Sequence, residues 1–219
     1  MNDTATLRSS PVSAVLWDFG GVILSSPFEA FRHYEDAHRL PADFIRSVNA
    51  TDPHTNAWAR LERNDITRAE FDREFALDSW ALGHRVPGAD VLALLAGEVR
   101  PEMVTALDRV KAAGYKMACL TNNVGGEHVS SERNDTIETI MARFDAVVES
   151  SKVGVRKPEP RFYELACEII DVRPDECVFL DDLGINLKPA AAMGMRTIKV
   201  LTADQALTEL EAILEITLR

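Results

Sequence analysis

Cysteine is scarce in this chain: three in 219 residues, at Cys119, Cys167 and Cys177. An odd, scattered set without metal-ligand spacing argues against a disulfide framework and points to a reducing cytoplasm. Positive charge is short as well, with 24 Lys and Arg against 35 Asp and Glu and a formal net charge of −11. Nucleic-acid backbones and anionic membrane surfaces both call for clustered cations, so neither is an expected partner. No apolar run reaches the roughly 20 residues that a membrane-crossing helix needs. Residues 1–11 are polar, lack the apolar centre of a secretory signal, and read as a flexible leader. Internal repeats and low-complexity tracts are missing too. What is there is ordinary globular material: 46% hydrophobic residues, ample for a sizeable core. The acidity poses one question, because an anionic substrate would have to be offset by something local.

Five short apolar runs read as strands buried on both faces: Val12–Trp17, Tyr115–Leu120, Asp145–Val148, Cys177–Leu180 and Thr197–Leu201. Between them lie stretches of helical period. Met103, Val104, Leu107 and Val110 form one, stopped by Gly114; Phe162, Leu165, Ile169 and Ile170 form another between Pro160 and Pro174; Leu207, Leu210, Leu214 and Leu218 mark a last one. Strand and helix in alternation predict an α/β fold, a parallel sheet with right-handed crossovers. The stretch from Leu24 to Arg100 breaks the alternation. It is mostly helical in period and carries Trp58, Trp80 and four of the five histidines. It reads as an inserted helical cap over residues 25–100, leaving 12–24 and 101–219 as the core, with crossings near Leu24–Pro27 and Val99–Pro101.

Open parallel sheets bind ligands at the carboxyl ends of their strands. The polar residues expected there are Asp18 after the first strand, Thr121 and Asn122 after the second, Arg156-Lys157 beyond the third, and Asp181-Asp182 after the fourth. Asp18 and the Asp181-Asp182 pair can converge on a hard cation such as Mg²⁺. Without a cation, three adjacent carboxylates repel one another. The Thr121 hydroxyl and the Lys157 ammonium can hold phosphate oxygens, and Asp18 can attack phosphorus. Each piece alone is a common turn or solvated loop; four in fixed order on one sheet edge are a coherent constellation.

The segments Trp17–Ile23 (WDFGGVI), Leu120–Asn123 (LTNN), Val155–Pro160 (VRKPEP) and Phe179–Asn186 (FLDDLGIN) resemble the four ordered motifs of the haloacid dehalogenase (HAD) superfamily. The likeness is greatest to the subgroup containing the N-terminal phosphatase domain of soluble epoxide hydrolase. Leu61–Thr67 (LERNDIT) is similar to a cap segment of that subgroup. The resemblance implies a Rossmann-like core with a helical cap, and a Mg²⁺-dependent phosphatase of a small phosphorylated metabolite acting through an aspartyl-phosphate. It makes Asp18 nucleophile and metal ligand, Gly20 a ligand through its carbonyl, and Asp182 a direct ligand with Asp181 alongside or acting through water. Thr121 and Asn122 would contact the phosphoryl group, Lys157 would neutralise it and orient Asp18, and Asn186 would support the site.

One position departs from the pattern. Most phosphatases of the superfamily carry a second Asp two residues after the nucleophile as general acid and base, and here it is Gly20. Three expectations follow: a substrate whose leaving group needs little protonation, a side chain such as His33, His54 or Glu62 that replaces the acid, or slow hydrolysis. Trp58, Arg60, Trp80 and Phe28 either line a substrate pocket or form the cap's own core. The alternatives are a phosphate-ligand binding or regulatory module with little turnover and a metal-independent dehalogenase. A receiver domain would place its acid pair early in the chain, and a phosphonate hydrolase would call for a cap lysine, which Leu24–Arg100 lacks.

Overall fold

The structure, a computed structural model, describes residues 11–123 and 131–219, with side chains from residue 134 in the second stretch. Residues 1–10 of the expected leader lie outside the described residues. In chain order the elements are β1 (Ala14–Trp17), α1 (Phe28–His38), α2 (Phe44–Ala50), α3 (Ala57–Glu62), α4 (Arg68–Ala81), α5 (Gly88–Ala93) and α6 (Pro101–Ala112). They continue with β2 (Lys116–Thr121), α7 (Ser131–Met141), β3 (Ala146–Glu149), α8 (Ser150–Val153), α9 (Pro160–Ile170), β4 (Cys177–Asp181), α10 (Gly184–Ala192), β5 (Arg196–Lys199) and α11 (Ala203–Leu214).

The five strands form one parallel sheet in the order β3-β2-β1-β4-β5, a Rossmann-like α/β architecture. Side chains alternate across it, so strands β1–β4 feed two cores. Val15, Trp17, Met117, Cys119, Val178 and Leu180 face α6 and α11, meeting Met103, Leu107, Val110, Leu207, Leu210 and Leu214. Ala14, Leu16, Ala118, Leu120 and Phe179 face α9 and α10. The strands match the expected runs to within two residues at each end.

Helix α9 corrects one expectation. Its buried stripe is Phe162, Tyr163, Ala166, Cys167 and Ile170, whereas Ile169 is 56% exposed. Apolar residues at 165, 169 and 170 span more of the helix than one face can bury. The sheet selects the face on which Tyr163 reaches the Asn186 carbonyl, at 2.6 Å.

Helices α1–α5 enclose a third apolar cluster, including Phe31, Phe44, Ile45, Leu61, Phe71, Phe75 and Val91, separate from the two sheet cores. Helix α4 opens with a capping box between Thr67 and Glu70. The two chain crossings pair with each other: Leu24 and Val99 form an antiparallel bridge, Ser25 N–H donates to Glu98 O at 2.7 Å and Arg100 N–H to Ile23 O at 2.9 Å. A Cβ at Gly97 would lie 2.5 Å from the Ser25 carbonyl oxygen, so this crossing tolerates no side chain. Among the described residues, no helix is long and apolar enough to cross a membrane.

Candidate active site

Parallel register brings the chemistry together. Trp17 is level with Cys119 on one side and Leu180 on the other, so Asp18 leaves β1 beside the ends of β2 and β4, where Thr121 and Asp181 sit. Asp18 is tied down at once: its N–H donates to Leu180 O at 2.9 Å, and its Oδ1 accepts from Phe19 N–H at 2.7 Å. The same Oδ1 lies 2.7 Å from Lys157 Nζ, an ammonium that is 1% exposed and also lies 2.8 Å from Asp181 Oδ2. Both contacts to Asp18 fall on Oδ1, which fixes the carboxylate's rotation and leaves Oδ2 as its available oxygen.

Asp181 is fully engaged. Oδ1 accepts from Leu183 N–H at 2.8 Å and Asn186 Nδ2 at 3.1 Å, and Oδ2 accepts from Lys157 and, at 3.1 Å, from Asn186. An ionised carboxylate offers about four acceptor sites, so Asp181 is occupied with holding Lys157. Asp182 is freer, with one bond from Ser26 Oγ at 3.1 Å. Carboxylate oxygens of Asp18, Asp181 and Asp182 all lie within 4.8 Å of one another. Gly21 makes room for them: at φ +77° its missing Cβ would fall 2.2 Å from Asp182 Oδ2. Gly20, in contrast, is exposed, and a Cβ built on it meets nothing within 4 Å.

The electrostatics follow from three acids sharing one ammonium. Burial lowers the Lys157 pKa, but Asp18 and Asp181 outweigh it and hold the ammonium above its usual range. Burial pushes Asp18 well up, Lys157 pulls it down, and Asp181 and Asp182 push it up again. Asp182 is pushed up to about 6 by burial and by Asp181. With all three ionised, two negative charges remain uncompensated. A set of hard oxygen donors with an excess of negative charge fits a small divalent cation and does not suit a soft one.

Around this centre the structure places Asn122 and Arg156 against the helical insert. Asn122 Oδ1 accepts from Lys157 N–H at 2.9 Å, and its Nδ2 donates to Lys157 O at 3.0 Å and to Glu62 Oε2 at 3.1 Å. Both protons of that amide are therefore spent on the Lys157 loop and the insert. Glu62, expected as a stand-in acid, is buried and accepts from Trp58 Nε1 at 2.9 Å and Arg156 Nε at 2.5 Å as well. Burial raises its pKa against the pull of Arg156. His33 and His54 are exposed. Of the proposed pocket residues, Trp58 and Phe28 pack on the insert's cluster, Arg60 pairs with Glu74 at 2.5 Å, and Trp80 is 65% exposed on the surface. Sequence reasoning missed Ser26, the Glu62–Arg156 pair and the Arg63–Glu159 pair. Partners 94 or more residues apart leave no local pattern.

Comparison with known proteins gives the family. The chain belongs to the haloacid dehalogenase-like hydrolases, whose family model matches residues 12–194. It is 36% identical over 206 residues to acyl-CoA dehydrogenase family member 10 of Mus musculus, covering 92% of this chain and 19% of that protein. It is 32% identical over 212 residues to bifunctional epoxide hydrolase 2 of Mus musculus, covering 90% of this chain and 38% of that protein. The chain thus spans well under half the length of these two relatives. A HAD family enzyme of Bacteroides thetaiotaomicron, solved in complex with magnesium and inorganic phosphate, shares the fold at a TM-score of 0.60 and 19% identity, over 91% of this chain and 98% of that one.

Proposed function

We propose that this hydrolase is a magnesium-dependent phosphatase of a small phosphorylated metabolite, working through an aspartyl-phosphate at Asp18. The observation that carries the reading is the buried ammonium of Lys157, held between Asp18 and Asp181 at the sheet edge with Asp182 beside them. The Asp18 and Asp182 carboxylates and the Gly20 carbonyl would hold the metal, with Asp181 supporting them. Bound there, Mg²⁺ supplies positive charge to the phosphoryl oxygens and cancels the excess of the carboxylates.

The chain's own residues do the rest. Lys157 and the Phe19 amide hold Oδ1, so Oδ2 of Asp18 is the oxygen presented to phosphorus. As it bonds, the ester P–O bond breaks and the leaving oxygen departs with its electron pair, taking its proton from water because residue 20 has no side chain to give one. Water then attacks the phosphorus, the bond from phosphorus to Asp18 Oδ2 breaks with its electron pair returning to the carboxylate, the water's proton passes to the hydroxide left by the first step, and inorganic phosphate leaves. Thr121, at the end of β2, and Lys157 supply donors to the phosphoryl oxygens. Residues 25–100 act as the cap over the core of 12–24 and 101–219, and select the leaving group.

The test is phosphate release from an aryl phosphate with and without Mg²⁺, in the native chain and in Asp18→Asn. Release that depends on both the metal and Asp18 is expected. No such release across a panel of phosphate esters would overturn the reading in favour of a phosphate-binding module, which the bare Gly20 favours.

A further inference from the structure

Two ion pairs cross from the end of α3 to the loop that carries Lys157. Glu62 meets Arg156 at 2.5 Å, and the next residue, Arg63, donates to Glu159 Oε1 through Nε at 2.9 Å and NH2 at 2.6 Å. Arg156 and Glu159 bracket the Lys157-Pro158 peptide on either side. The arrangement is crossed: an acid followed by a base on the helix meets a base and then an acid on the loop. Any other pairing of these four groups puts like charges together, so the contact accepts one seating of the insert.

The two pairs differ in burial. Arg63 and Glu159 keep side-chain exposures of 18% and 29%, whereas those of Glu62 and Arg156 are 8% and 11%. The Glu62 carboxylate accepts three hydrogen bonds. Trp58 donates to Oε1; Arg156 and Asn122 donate to Oε2. Arg156 in turn donates through NH1 to Pro53 O at 2.9 Å, a second bond to the insert. Asn122 passes the contact inward, because its amide grips the Lys157 peptide at both N–H and C=O. One unbroken chain of hydrogen bonds therefore runs from an insert carboxylate, through Asn122, to the backbone of the lysine that holds Asp18.

We propose that Glu62 is a positioning residue, which fixes Asn122 and Arg156 and thereby sets Lys157 against Asp18 when the helical insert is seated. Its part in turnover rests on the phosphatase reading above; its part in holding the loop does not. Withdrawing the insert removes the acceptor for one Asn122 proton and for the buried guanidinium together, so the loop loses its register whenever the site opens. Glu62 is by the same geometry committed to this clamp and does not serve as the swinging acid.

The experiment compares Glu62→Ala, Glu62→Gln and Arg63→Ala by amide exchange and by kinetics on an aryl phosphate. The Lys157 N–H, held by Asn122 Oδ1, is the direct reporter. Glu62→Ala is expected to speed its exchange about tenfold or more, while the β4 amides of Val178 and Phe179 keep native protection. In kinetics kcat falls on the order of 10²-fold, the scale of a small misplacement at a reacting centre, with KM within about threefold. Glu62→Gln keeps the volume and the fold but sets an NH2 against groups that already donate, and gives the same pattern at smaller size. Arg63→Ala, which cuts only the outer pair, stays within about threefold of native in kcat. Glu62→Ala combined with Asn122→Ala loses little beyond either alone. Unchanged Lys157 exchange in both Glu62 variants overturns the proposal, as does a uniform rise that includes β4, or additive losses in the double variant. If the native chain releases no phosphate, the phosphatase reading fails by itself and the Lys157 exchange still decides the clamp.

Discussion

Gly20 is the most informative position to change, because the structure leaves it open. A Cβ there meets nothing within 4 Å, the residue is exposed, and its backbone lies outside the left-handed region that would strain a side chain. Gly20→Asp therefore carries no packing cost, and its effect on stability stays within about 0.5 kcal/mol, as for other surface changes. What it adds is a carboxyl two residues from Asp18, the position at which the motif resemblance expects the general acid. General acid catalysis is worth roughly 10²–10⁴-fold when the leaving group needs a proton, and far less when it does not. We expect kcat on an alkyl phosphate to rise about 10–10²-fold, at or below the lower edge of that range because the group is grafted rather than evolved in place. An aryl phosphate with an acidic phenol should change less than about threefold. The added carboxylate joins Asp18, Asp181 and Asp182, so the gain needs Mg²⁺ and disappears under chelation. Steady-state kinetics on the two esters, side by side, reads the ratio directly. An equal change on both, or none on either with the fold intact, refutes the claim that proton transfer to the leaving group is what this chain lacks.

Other consequences are open to measurement. Lys157→Met leaves Asp18 and Asp181 buried without their cation, and should cost on the order of 3–5 kcal/mol in urea unfolding, with part of it restored by Mg²⁺. Asp182 gives the metal-free protein a pH signature. Its folded pKa, about 6, lies above the ordinary 3.8, so the folded state binds the extra proton and stability falls as pH rises through that interval. Thermal melts between pH 4 and 7 should show the decline in the native chain, and Asp182→Asn should make it shallower, leaving the part that the raised Asp18 and Glu62 carboxyls contribute. In the insert, Phe71 is buried against Trp58 and Phe75, so Phe71→Ala should cost about 3–5 kcal/mol and open α1–α5 to protease before the sheet. Intact insert helices under limited digestion would contradict that order.

The sequence alone determined a good deal. Buried strands announce themselves as short apolar runs, and a parallel fold sends their carboxyl ends to one edge, so Asp18, Thr121, Lys157, Asp181 and Asp182 could be gathered without coordinates. These signals are local, a run and the polar residue that ends it, and a repeating topology converts them into a site. The same locality explains the misreading at α9. Period identified an amphipathic helix but not which of two overlapping apolar faces the sheet would take, and Ile169 went to solvent.

Tertiary structure decided everything that depends on pairs distant in the chain. Sequence suggested Glu62 as a mobile acid; the fold buries it under Arg156, Trp58 and Asn122. The motif resemblance set Asp182 as the direct ligand with Asp181 alongside; only the fold says why, because it commits Asp181 to Lys157 and Asn186 and leaves Asp182 with a single bond from Ser26. The sequence marked Gly20 as a departure but not which of the two adjacent glycines has room for a side chain; a Cβ is forbidden at Gly21 by Asp182 and free at Gly20. Residue type and spacing establish what chemistry a chain can perform. Which carboxylate is spent, which is free and where a side chain has room are properties of the packed neighbours, and those exist only once the chain has folded.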